Sequence, residues 1–73
     1  MAELPLAPVE RVMRNTGAYR ISLEAVKVTA DEAENYIENL VRSAQKIAMK
    51  SGRKTITSRD IKLASMQQYP MRL

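Results

Sequence analysis

The sequence predicts an all-α chain of three helices, short, long and short, in which the long helix needs a second chain to cover it. Three observations carry this. Residues from Leu23 to Lys50 contain no Gly or Pro and repeat small or apolar residues at helical spacing. The two glycines of the chain, Gly17 and Gly52, stand one on each side of that stretch, where a left-handed residue ends a helix. Shorter helical patterns with their own start signals flank it on both sides.

The first helix is expected over 8–15. "APVERVMRN" places Val9, Val12 and Met13 on one stripe with Glu10, Arg11 and Arg14 off it, and Pro8 suits a first helical position. Gly17 stops this helix, and "GAYRIS" reads as a connector. Ser22 is the expected cap of the second helix, 23–50, with Glu24 in its first turn against the positive end of the dipole. Its stripe runs through Ala25, Thr29, Ala33, Tyr36, Leu40, Ala44 and Ile47, a mean step of about 3.7 residues. Acids from Asp31 to Glu38 come before Arg42, Lys46 and Lys50, which lie towards its end. Its 28 residues span about 42 Å, longer than a 73-residue globule is wide. A chain of this size cannot cover both halves of such a stripe. After "SGRKTIT", Thr57 followed by Asp60 resembles a capping box for a third helix over 58–67, carrying Ile61, Leu63, Ala64 and Met66. Pro70 closes it and leaves a short extension, 68–73, so residues 1–73 read as one domain.

Composition excludes several functions. Cysteine and histidine are absent, which removes disulfides, thiolate and imidazole metal sites and the usual general base. No catalytic residue, cofactor, metal or small-molecule substrate is expected. No apolar run approaches the roughly 18 residues of a membrane span, and Met1 to Pro8 lacks the charge pattern of a signal peptide, so a cytoplasmic location is expected. Twelve Lys and Arg against eight Asp and Glu give a net charge of +4 and a pI near 9.8, which points to a polyanion as partner. Within Leu23 to Lys50 five acids nearly balance four bases; outside it, eight bases face three acids. The positive excess therefore lies on the ends and connectors.

"ELPLAPVERVMRNTGAYRIS" resembles the first helix and first loop of archaeal histones, and "SGRKTITSRDIKLA" resembles their second loop and third helix. The likeness covers about Glu3 to Ala64. It implies the histone fold, an intertwined antiparallel dimer that binds and bends double-stranded DNA without reading its sequence. A homodimer on the chromosome or nucleoid is expected, with tetramers and longer dimer stacks as further assemblies.

Arg53, Lys54 and Thr55 supply guanidinium, ammonium and hydroxyl groups that can share a phosphate without touching a base. Alone, an Arg-Lys pair reads as a solubilising loop. In an antiparallel dimer this connector would lie beside Arg20 of the other chain, and four cations would act together once Arg11 or Arg14 is counted. The resemblance implies phosphate contacts by first-helix and first-loop bases, minor-groove insertion of Arg20, and a brace from Arg53 to Asp60. Ala33, Tyr36, Leu40 and Ala44 are the expected dimer interface; Ile47, Lys50, Asp60 and Leu63 are the expected contact between dimers. Asp31, Glu32, Glu34 and Glu38 read as a solvated acidic face.

The chain departs from the family at four places. Lys50 stands where a histidine is common, Thr57 where a lysine is frequent, Tyr19 where an acid is frequent, and Glu32 where an apolar residue is usual. Lys50 could reach a neighbouring dimer's Asp60, although an ammonium costs more to bury than an imidazole. The alternative reading is a histone-fold dimerisation module, such as one subunit of a heterodimeric transcription factor.

Overall fold

Helix α1 spans Leu6–Arg14, α2 Leu23–Lys50 and α3 Ser58–Gln68 in the computed structural model, which describes residues 3–68. Among these residues there is no strand. They form two compact units, the first ending at Tyr36 and the second beginning at Ile37. Gln68, the first residue of the expected extension 68–73, is the last residue of α3; the rest of that extension, including the stop at Pro70, lies outside the described residues.

In the first unit α1 begins two residues before Pro8, with Pro5 as the flanking residue. The first four N–H groups of a helix have no internal acceptor, so Pro8 at the third position loses no hydrogen bond. The earlier start also turns the stripe. Leu6, Val9 and Met13 are half-buried, whereas Val12 is exposed, which corrects its place on the packed face. At the far end the Gly17 and Thr16 N–H groups donate to the carbonyls of Arg14 and Met13, and the Thr16 hydroxyl donates to Met13. Gly17 itself takes φ +94°, as a helix stop requires. Ser22 Oγ caps α2 by accepting from the Ala25 N–H at 3.0 Å. Val26 and Ala30 are the buried apolar side chains here.

In the second unit α2 ends in a paired cap. Gly52, at φ +74°, donates its N–H to Met49, and the Arg53 N–H reaches back to the Ala48 carbonyl at 2.9 Å, the two bonds of a Schellman motif. Thr57 and Asp60 then form the capping box of α3: the Thr57 N–H donates to Asp60 Oδ2 at 2.9 Å and the Asp60 N–H donates to Thr57 Oγ1 at 3.4 Å. Ala44, Ala48 and Ala64 are the buried apolar residues.

The buried positions of α2 differ from the expected stripe. They are Val26, Ala30, Ala44 and Ala48, whereas Ala25, Thr29, Ala33, Tyr36, Leu40 and Ile47 are half-buried beside them. Ala44, expected at the dimer interface, is buried within its own chain. Helical spacing places Ile37 and Val41 on the same line as the buried four, yet Ile37 is 46% exposed and Val41 is also exposed. The apolar stripe is thus covered near both ends of α2 and uncovered in the middle.

Candidate nucleic-acid interface

The second connector is built around one arginine. Arg53 Nη1 and Nη2 donate to Asp60 Oδ2 and Oδ1, each at 2.9 Å, and Nη1 also donates to the Thr55 carbonyl at 3.2 Å. The fork geometry of a guanidinium matches a carboxylate in this way. Asp60 is 1% exposed and its other contacts are with Thr57, whose hydroxyl donates to Oδ2 at 3.1 Å. Hydrogen bonds from Arg53, and then from the Thr57 N–H, hold the Asp60 carboxyl well below the usual carboxylate range despite its burial; the same pairing raises Arg53. Three of the five guanidinium N–H groups are committed to this frame, and the Arg53 side chain remains 38% exposed. Lys54 and Thr55, set on the braced loop, are exposed.

The burial of Asp60 bears on a second expected role. Asp60, also expected at a contact between dimers, is enclosed within its own chain by Arg53 and Thr57. Ile47 and Lys50 do line one groove of about 210 Å³, together with Ser43, Lys46 and Gln67, and Leu63 is exposed on α3.

The first connector carries a similar arrangement. Arg14 donates from Nε and Nη2 to Glu10 Oε2 at 3.0 and 2.8 Å, and from Nη1 to the Tyr19 carbonyl at a long 3.5 Å. The Arg14–Glu10 pair is half-exposed and one turn apart. Arg14 is therefore partly engaged in tying the connector to α1. Arg11, Arg20 and Lys54 are exposed and, among the described residues, have no ion pair. An open groove of about 650 Å³ lies under this connector, lined by Met13, Arg20, Ile21, Ser22 and Ala25. Arg11, Arg14 and Arg20 belong to the first unit, and Arg53, Lys54 and Thr55 to the second.

Sequence reasoning misses three participants. Glu10 stands out in the sequence only as a residue off the apolar stripe, although its spacing of four from Arg14 signals a helical pair. Tyr19 is a departure from the family with no task attached to it. Glu34 lies in the expected solvated ridge, yet it is half-buried and its Oε2 accepts from the Glu3 N–H and, at 2.6 Å, from the Leu4 N–H. No local pattern announces a bond across 30 residues. Asp31, Glu32 and Glu38 are exposed. No group of three or more acids is placed to hold a metal, and no helix is long and apolar enough to cross a membrane, among the described residues.

Comparison with known proteins agrees with this architecture. The chain is 42% identical over 64 residues to a component of the archaeal histone HAN1 of Thermococcus zilligii, an alignment that covers 88% of this chain and 96% of that protein. It is 38% identical over 64 residues to the probable archaeal histone 3 of Methanocaldococcus jannaschii, with the same coverage of 88% and 96%. It is also 42% identical over 59 residues to the DNA-binding protein HmvA of Methanocaldococcus jannaschii, covering 81% of this chain and 62% of that protein. Residues 2–64 match the family described as histone-like transcription factor (CBF/NF-Y) and archaeal histone. Three helices in the order short, long, short, with a capped connector at each joint, have the architecture of that family, and the chain belongs to it.

Proposed function

We propose that this chain is a chromosomal histone that binds double-stranded DNA without sequence preference, bends it and compacts it, acting as one histone-fold domain over residues 1–73 and as a homodimer. The observation that carries this is the second connector: Arg53, locked to Asp60 and the Thr55 carbonyl, leaves Lys54 and Thr55 exposed on a rigid loop. Rigid presentation matters because phosphate contacts fix position, and a loop that must order on binding loses affinity to entropy. Across an antiparallel dimer, Lys54, Thr55 and the remaining N–H groups of Arg53 join Arg11, Arg14 and Arg20 of the second chain in one basic edge. The DNA-binding name of the HmvA relative supports the same reading.

The uncovered middle of α2 supports the dimer, with Ala33, Tyr36 and Leu40, joined by Ile37 and Val41, as the surface a second α2 would cross. Ile47, Lys50 and Leu63 remain the candidate contact between dimers in tetramers and longer stacks. The reading contains no catalytic step, cofactor or membrane partner. Its mechanism is neutralisation of phosphates with release of counterions. Affinity for a mixed-sequence duplex, measured by fluorescence anisotropy, should fall by about 10³ or more between 50 and 200 mM salt if six or more phosphates are contacted, and nuclease footprints should grow in steps as dimers add. Binding that hardly changes over that range would refute the mechanism; recovery of a folded dimer only with a second gene product would favour a heterodimerisation module instead.

A further inference from the structure

The two connectors share a design that extends beyond their cations. In each, an arginine anchored by a carboxylate of its own unit also reaches the carbonyl of a hydroxyl-bearing residue: Arg53, held by Asp60, bonds Thr55, and Arg14, held by Glu10, bonds Tyr19. An exposed cation without an ion pair stands next to each hydroxyl, Lys54 before Thr55 and Arg20 after Tyr19. Tyr19 is 93% exposed, more than any other large apolar side chain described. Its backbone is tethered to α1 while its ring stands in water.

We propose that Tyr19 is a DNA-contacting residue whose hydroxyl donates a hydrogen bond to a backbone phosphate beside Arg20. The proposal rests on the duplex-binding reading above. Tyrosine hydroxyls are among the groups that bond phosphate oxygens without reading sequence. The alternative use of an exposed ring, as a wedge between base steps, suits side chains that are apolar throughout, because a phenol in the base stack would bury its hydroxyl without an acceptor. A neutral donor releases no counterion of its own, so it raises affinity without steepening the dependence on salt.

The test compares the wild-type protein with Tyr19→Phe, Tyr19→Ala and Arg20→Gln, using anisotropy of a labelled mixed-sequence duplex across a salt series. Circular dichroism establishes that each variant is folded. Tyr19→Phe should weaken binding about tenfold, as loss of a hydrogen bond to a charged acceptor does, with the slope of log K against log salt unchanged. Arg20→Gln should weaken binding and flatten that slope. Full affinity in Tyr19→Phe overturns the proposal. If Tyr19→Phe keeps affinity and Tyr19→Ala loses it, the ring is the contact and the hydroxyl assignment falls. A wild-type protein whose binding is insensitive to salt overturns the duplex-binding reading itself, and this inference with it.

Discussion

Asp60 does more than any other single side chain to shape the candidate interface. Both its oxygens are engaged, Oδ1 by Arg53 and Oδ2 by Arg53 and Thr57, and it is sealed from solvent. Because its carboxyl is held below the ordinary range of about 4, the folded chain binds this proton less readily than the unfolded chain. The stabilisation is therefore present above about pH 4 and is lost as pH falls towards the lower folded value. Asp60→Asn removes that contribution. Its thermal midpoint should lie clearly below wild type at pH 6, and the gap should narrow by pH 2.5; a gap that stays constant across this range would show that the brace is not ionic. The resemblance to archaeal histones implies the pair, and the burial that makes it consequential emerges only with the fold.

At the scale of elements, the caps govern where the basic connectors begin. Gly52 sits at φ +74°, and a Cβ built there meets no atom within 4 Å. Gly52→Ala should therefore suffer conformational strain alone, about 1–2 kcal/mol for a residue with a Cβ in the left-handed region. That corresponds to a fall in the thermal midpoint of roughly 4–8 °C per kcal/mol for a chain of this size. DNA affinity measured well below the midpoint should change little, because the bonds from Gly52 and Arg53 to α2 remain available. A large loss of affinity without a loss of stability would mean that the turn itself touches DNA. On α2, charge and capping agree with the expected boundaries, while the packed face is displaced from the expected one. Small residues at Ala30, Ala44 and Ala48 take the buried line, and larger ones at Tyr36, Leu40 and Ile47 are left half-covered.

For the whole molecule, the scarcity of buried bulk is decisive. The fully buried apolar set among the described residues is one valine and four alanines, too little apolar area to offset the ordering of a chain of this length. Folding is then expected to be coupled to dimerisation, with a thermal midpoint that rises with protein concentration. Leu40→Ala should cost about 2–5 kcal/mol if a second chain completes its burial, and it should shift the dimer towards monomer in sedimentation equilibrium. A midpoint independent of concentration, or a Leu40→Ala variant as stable as wild type, would contradict the coupling. Sequence alone points to a second chain, through a helix too long for its globule. The exposed line of Ile37 and Val41 narrows that demand to the middle of α2.

Local rules by themselves determined the order and number of helices, both glycine stops, the Ser22 and Thr57 caps, the placement of positive charge and the resemblance to histones. Each of these depends on neighbours within about four residues, or on a motif read residue by residue, so no folding was needed to see it. Tertiary structure alone decided that Ala44 and Asp60 are interior, that Val12 faces water, that Glu34 holds the backbone before α1, and that Arg14 ties the first connector to α1. Burial and long-range hydrogen bonds depend on which segments meet, and periodicity cannot choose between two adjacent helical lines that are both rich in small residues.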